Sequence, residues 1–480
     1  MSMTVQERDR PRILIPMTMV WVVRNVVHSG LLEKLAAVGV EPVLLVPELP
    51  PGGLGEYLSG CGATLAPLLS PESRTTRLDW VLNAVLGFSN VRRNAPKTYR
   101  LRRRWYERHL QGKTKARFLV AGFLSAFFVQ PRAYECLRRI WERRTLSYYN
   151  LEPVVRQIEE LGCSAVWFNN WGMGREMAYV AAAAEMGLPA ITSIISFDNV
   201  LTKGVRPSFD HYLVWSTRGA EELVRSDARI TEEQVSILGS PQFDFHRRSE
   251  LIWGRAATLE KLGLPPNVRF FVYGAGREVH SPGEIDLVNR LALHLEQDPR
   301  WENYRIVVRF HPLDAADRWH EGVSARRIVL CEPFQPPVDE KGWSWSSVQD
   351  QALLISSLRH ADACLSVAST IALDAAILGT PAIGLRLDQD RDAPNEVYFD
   401  AFELDHYRPL VESRGIWIVR SWSEVFKLLE LAVEIPEEGK EERERMVASV
   451  CGPVDGHSSE ETVKELLTFL NLKRNEVEIA

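Results

Sequence analysis

Three short stretches in the second half of the chain carry residue types suited to holding an anion. Gly274-Ala275-Gly276-Arg277 follows the apolar run Phe270 to Tyr273, His311-Pro312 follows the run Tyr304 to Phe310, and Ser366-Val367-Ala368-Ser369-Thr370 follows Ala363 to Leu365. Glycines let a backbone approach a phosphate closely, and a guanidinium forms paired bonds to its oxygens. A histidine at a strand end can donate to a phosphate oxygen, and Pro312 restrains the backbone presenting it. Hydroxyls at a helix start add donors to unpaired N–H groups and a positive dipole end. Asp374, one helical turn further in, suits a pair of ribose hydroxyls. Each stretch alone also has an ordinary reading: Ser and Thr are good N-caps, and any loop can hold a His-Pro. Their recurrence at three strand ends of one sheet points to a phosphate site.

The elements that position these residues read as α/β. A helix is expected from Thr370 to Leu378, with Ile371, Asp374, Ala375 and Leu378 on one face, Gly379 as its stop and a strand from Ala382 to Leu385. In the first half, strands are expected at Arg12–Pro16, Val43–Pro47, Ala165–Phe168, Pro189–Ile195, Tyr212–Trp215 and Val235–Leu238, with helices at Arg24–Val38 and Gly174–Met186. No G-x-G-x-x-G occurs there, so a dinucleotide site is not supported. Ligands of open parallel sheets sit beyond the strands' carboxyl ends, which puts Asn169, Trp171 and the segment Ser196 to Gly204, with Asn199 and Lys203, on a cleft rim. An acidic pair, Asp388 and Asp390, has the spacing of a cation ligand, but its place after the second α/β half favours solvated loop acids.

At 480 residues the chain exceeds one core, and two domains are expected, 1–240 and 241–480. Hydrophobic residues make up 45% and charged residues 25%, as in ordinary globular proteins, and the net charge of −6 makes no case for nucleic acid. Six scattered cysteines read as reduced packing residues of a cytoplasmic protein, and residues 1–11 lack an apolar signal core. Charge is uneven. Between Arg92 and Arg144 stand 16 Lys/Arg against Glu107, Glu135 and Glu142, a local net of +13 that leaves −19 elsewhere. Inside this block, Phe118 to Val129 spans about 18 Å as a helix, too short for a membrane core of about 30 Å. An anionic membrane surface or acceptor, a buried core helix flanked by solvated arginines, and RNA all remain as readings of block 92–144.

Taken together, the strand–HP turn, the S-x-x-S-T helix ending in LGTP and the two Rossmann-like halves resemble GT-B glycosyltransferases. The nearest flavour is bacterial cell-envelope transferases using CMP- or CDP-activated donors: sialyltransferases, Kdo transferases and CDP-glycerol glycerophosphotransferases. The closing CGPVDGHSSEETVKELLTFL and the stretch SFDNVLTKG followed by HYLVWS are similar to motifs of such enzymes and of related glycosyltransferases. The resemblance implies a GT-B fold of two facing Rossmann-like domains with a C-terminal crossover helix. It also implies a donor phosphate held by His311, Ser369 and Thr370, and a metal-independent transfer from a nucleotide sugar to a cell-surface glycan or glycolipid. The nucleotide sugar, with a pyrimidine nucleotide, is then a substrate, and no cofactor is implied. The acidic D/E-D/E-G base motif of sialyltransferases is missing, and the glutamate of UDP-sugar enzymes is Asp374 here.

Such a transfer needs donors for the departing phosphate and a base for the acceptor hydroxyl. Asp198, in a Gly- and Lys-containing loop of the first domain, is the first candidate base; an Asx turn is its alternative role. His28 is the reserve, with a helix-face histidine as its alternative. A CDP-glycerol-type glycerophosphotransferase, a UDP-sugar 2-epimerase of the same architecture and a non-catalytic sugar-nucleotide-binding protein are the competing functions. The expected location is cytoplasmic, with peripheral attachment to the inner membrane face if the basic block docks there.

Overall fold

The computed structural model describes residues 10–50, 52–74, 76–169, 174–204, 207–333, 345–390, 394 and 397–479. Trp171, expected on the acceptor side, lies outside them. The chain divides into two units, Met1–Asp244 with Asp455–Ala480, and Phe245–Val454. The division falls after Asp244 rather than after residue 240, and the last helix belongs to the first unit although it follows the second in sequence.

The first unit is built on seven parallel strands: β1 (Arg12–Pro16), β2 (Glu41–Val46), β3 (Thr64–Pro67), β4 (Ala165–Phe168), β5 (Ala190–Ser193), β6 (His211–Val214) and β7 (Val235–Ile237), in the order β3-β2-β1-β4-β5-β6-β7. Near-continuous apolar strands such as Ala-Val-Trp-Phe of β4, buried at every residue, are what a sheet covered on both faces requires. One expectation fails locally. Arg24–Val38 is not one helix: a short α turn at Val20–Val23 widens into a π turn at Arg24–His28, and Gly30, at φ 80°, separates it from the helix Leu31–Ala37. Glycine tolerates that left-handed geometry, so the sequence-level periodicity runs straight across a real break.

Between β3 and β4 the chain makes five α-helices, and the first four, Arg77–Asn94, Pro96–His109, Gly112–Leu124 and Pro131–Leu146, precede Glu152–Leu161. The first, third and fourth of these share a small core of Leu86, Ala121, Tyr134, Leu137 and Trp141. The C-terminal helix Ser458–Ile479 is anchored at its start by Asp244, whose carboxylate accepts from the N–H groups of Ser458 (3.1 Å) and Ser459 (2.7 Å). That carboxylate satisfies two of the helix's orphan donors.

The second unit repeats the plan with six parallel strands: β8 (Arg269–Gly274), β9 (Tyr304–Arg309), β10 (Ile328–Cys331), β11 (Cys364–Ser366), β12 (Ala382–Leu385) and β13 (Ile416–Val419), in the order β10-β9-β8-β11-β12-β13. Strand order reverses between β8 and β11, and at that switch point loops diverge to opposite faces and leave a crevice. Apolar clusters cover both faces, one around Phe271, Leu291 and Leu365, the other around Phe270, Leu353 and Cys364. Five of the six cysteines are buried and Cys136 is exposed. Each unit is therefore a doubly wound, Rossmann-like sheet.

Candidate functional site

Register brings the three anion-suited stretches to one edge of the second unit's sheet. Gly274 pairs with Arg309 on one side and Ser366 on the other, so the loops that follow all leave the sheet at the same height. Gly274 has a packing reason to be glycine: a Cβ there would collide with the side chain of Ile371, which begins the helix after β11. Absence of a side chain lets that helix start sit directly on the end of β8.

The loop after β8 is held from beneath. Glu284, fully buried, accepts from the Gly276 N–H (2.9 Å) and from the Tyr273 hydroxyl (2.8 Å). Burial raises its pKa to about 7, against the pull of the Tyr273 and Gly276 bonds. Asp314 performs the same service from the neighbouring loop, accepting from the Glu278 N–H (3.1 Å) while Arg318 and Trp319 donate to its other oxygen (both 2.9 Å). Arg277, between these two anchors, is exposed.

His311 is half-buried and its ring orientation is set locally. The Leu313 N–H donates to Nδ1 (3.0 Å), so Nδ1 is the unprotonated nitrogen and Nε2 carries the proton. Desolvation first, then Arg277, lowers its pKa to about 4, so near neutrality the ring is an uncharged donor. Pro312 is exposed beside it.

The turn after β11 holds Ser366 buried, Ser369 half-buried and Thr370 exposed. Ala368 has φ 44°, a left-handed conformation that costs a non-glycine residue roughly 1–2 kcal/mol and is found where a turn is over-determined by its surroundings. The helix is short, Ile371–Ile377, and Thr370 stands at its N-cap position without a side-chain cap bond. Its hydroxyl is thus not spent on the role that capping would give it. Asp374 is different. It is buried, with Oδ1 3.0 Å from Nε2 of the buried His246. The acids Asp388 and Asp390 also have local work: Asp388 pairs with Arg386 and Arg420, and Asp390 accepts from the Trp422 N–H.

In the first unit, Asp198 lies after β5 and accepts from the Ser196 hydroxyl (2.6 Å) and the Thr202 hydroxyl (3.2 Å). Its loop is braced by Asn90, which donates to the carbonyls of Val200 (3.1 Å) and Leu201 (3.3 Å) and leaves no room for a Cβ at Gly204. Asn199 is buried and Lys203 exposed. His28, the reserve candidate, is buried at 5% exposed. Asn169 is buried, and its amide nitrogen has no hydrogen-bond partner among the described residues; a small cavity there is also lined by Asn25, Ser193 and Ser240. Beside Thr202 opens a larger groove of about 250 Å³, walled by Phe88, Tyr99, Tyr106 and Phe118 with Arg102 and Arg103.

Sequence reasoning missed Glu284, Asp314 and Asn90. The first two read as ordinary helix and loop acids, and nothing local distinguishes them; only an acid standing close after a glycine-rich turn could have raised the question for Glu284.

No protein-family model matches the chain, and no curated protein matches it. Solved structures do. S. aureus MnaA in a co-structure with UDP is 13% identical over 96% of this chain and 97% of that one, with a TM-score of 0.54. A UDP-N-acetylglucosamine 2-epimerase is 12% identical over 95% of both chains, with a TM-score of 0.53. The Neisseria meningitidis UDP-GlcNAc 2-epimerase bound to UDP-GlcNAc is 14% identical over 95% and 100%, with a TM-score of 0.51. At these identities the likeness shows the fold: two parallel-sheet Rossmann-like domains of the GT-B type.

Proposed function

We propose that the chain is a nucleotide-sugar-dependent glycosyltransferase, metal-independent, that moves a sugar to a hydroxyl of a glycan or glycolipid. The carrying observation is the meeting of the Gly274–Arg277 loop, His311 and the Ser366–Thr370 turn at the β8 switch point. As the glycosidic bond breaks, charge grows on the departing phosphate. Fixed donors aimed at that charge stabilise the transition state more than the ground state. Arg277 supplies the positive charge, Nε2 of His311 a neutral N–H, and Ser369 and Thr370 hydroxyl donors. With a pKa of about 4, His311 keeps this role over the whole neutral range without acting as an acid. On the first unit, Asp198 is the proposed base, with Asn169, Asn199 and Lys203 beside the acceptor; the aromatic groove next to Thr202 suits a sugar or lipid face flanked by anionic groups.

A second reading is favoured by the solved neighbours, two of which are 2-epimerases: a UDP-sugar epimerase, which needs no acceptor groove. One experiment separates the two. The protein is incubated with CMP-, CDP-, UDP- and GDP-sugars, and products are followed by proton NMR. Release of free nucleotide, from one pyrimidine donor above the rest, supports the transferase; a C2-inverted sugar still joined to UDP supports the epimerase and overturns it.

A further inference from the structure

The four-helix insertion after β3 wears its apolar residues on the outside. Leu78, Trp80, Leu119, Val120, Phe123 and Phe127 are all exposed, Phe123 at 69% and Phe127 at 63%. The helix Gly112–Leu124 already has its inner face covered: Phe118 packs edge-on to Phe88 (4.9 Å) and Tyr106 (5.3 Å), and Ala121 and Ser125 are buried. Leu119, Phe123 and Phe127, four residues apart, line the opposite face, where a surface helix ordinarily carries charge. Two phenylalanines meeting edge-to-face at 5.6 Å thus form a ridge towards solvent.

Charge surrounds the ridge on one side. Lys113, Lys115 and Arg117 precede it on the same helix with no acid among them, and Arg100, Arg104 and Arg108 are exposed on the helix before. The Arg117 guanidinium lies over the Trp80 ring at 5.4 Å, setting a cation on an aromatic of the kind that sits at headgroup level. The described helices include none long and apolar enough to cross a membrane, so a 13-residue helix of this kind can lie only in the interface. A second copy of the chain is a poorer occupant, because a symmetric pairing would set one +13 block against another.

We propose that the helix Gly112–Leu124 and the turn after it form a docking face for a bilayer carrying anionic lipid. Leu119, Phe123 and Phe127 enter the headgroup–acyl boundary, while Lys113, Lys115 and Arg117 contact lipid phosphates. The remaining −19 of the chain is repelled by the same surface, which leaves this block as the side that turns towards it.

The full chain is tested by flotation with vesicles of pure phosphatidylcholine and of equimolar phosphatidylcholine and phosphatidylglycerol. Binding is expected to the mixed vesicles only and to weaken as salt rises, since exposed charges are screened within about 10 Å at 0.1 M. The triple change Lys113→Gln, Lys115→Gln, Arg117→Gln should weaken binding about a hundredfold, at roughly fivefold per charge. Phe123→Ser with Phe127→Ser should abolish it, and Phe123→Leu with Phe127→Leu should restore it, with thermal unfolding unchanged because these rings are exposed. Binding that survives the serine pair, or that is equal on neutral vesicles, overturns the proposal. So does a dimer in light scattering that the serine pair converts to a monomer, or retention on RNA in preference to mixed vesicles.

Discussion

The sheet edge at β8, β9 and β11 and the sheet edge at β4 and β5 are built from the same kinds of residue and use them differently. In the second unit the anchoring bonds run to backbone N–H groups: Glu284 holds Gly276, Asp314 holds Glu278, and the Leu313 N–H orients His311. Loop shape is thereby set from behind, and Arg277 and Thr370 remain exposed in front. In the first unit the polar side chains satisfy one another, Asp198 with Ser196 and Thr202, while Asn199 and His28 are buried. One edge is the set of donors proposed to hold an anion. The other presents a single carboxylate that accepts from two neighbouring hydroxyls.

The largest effect should come from that carboxylate. Asp198→Asn keeps an acceptor for Ser196 and Thr202 but cannot take a proton, so sugar transfer should fall about 10²–10⁴-fold with nucleotide affinity unchanged. An unaltered rate would remove Asp198 from the chemistry and leave only the second unit's edge in the proposal.

His311→Ala should follow. Loss of a bond to a charged phosphate contributes roughly 1.5–3 kcal/mol, so calorimetric titration of CMP, CDP and UDP should show about a tenfold to hundredfold loss for the preferred nucleotide. Undiminished binding would put the anion elsewhere.

Glu284 sharpens the contrast through pH. Its ordinary value of 4.5 rises to about 7 in the folded protein, so the native state holds an extra proton between those values. The stability this contributes is complete below pH 4.5 and is lost as pH rises through about 7. Glu284→Gln should remove that part of the slope: the melting temperature of the parent should fall relative to the variant across this window. Parallel curves would mean that the loop anchor does not titrate there.

Thr370→Ala should have the smallest effect on stability. A true cap would cost about 1 kcal/mol on truncation. With no side-chain cap bond at Thr370, the expected loss is only about a few tenths of that scale, while nucleotide affinity falls measurably. A full 1 kcal/mol loss with intact binding would restore the capping role.

Much of this arrangement was legible in advance because its signals are local. Apolar runs ending in Gly-Ala-Gly-Arg, Phe-His-Pro and Ser-x-x-Ser-Thr mark strand ends, and the observed β8, β9 and β11 stop within a residue of where those runs predict. A buried parallel strand needs a continuous apolar run, and the loop chemistry follows directly in the chain. What remained hidden depends on contacts between distant residues. Asp374 was read from its helical position alone, and its neighbour His246, 128 positions earlier, could not be seen from there.

Sequence alone determined two α/β halves, the position of most of their strands (β3, β10 and β13 were not expected) and the residues those strands deliver to their carboxyl ends, since period and punctuation are properties of neighbouring residues. Tertiary structure alone decided which polar groups were already spent. It put Glu284 beneath Gly276, split the helix at Gly30, assigned the last helix to the first unit, and turned Phe123 and Phe127 outward. A helical repeat of apolar residues is the same whether its face meets a core or solvent, and only the packing of Phe118, Ala121 and Ser125 on the opposite side settles which.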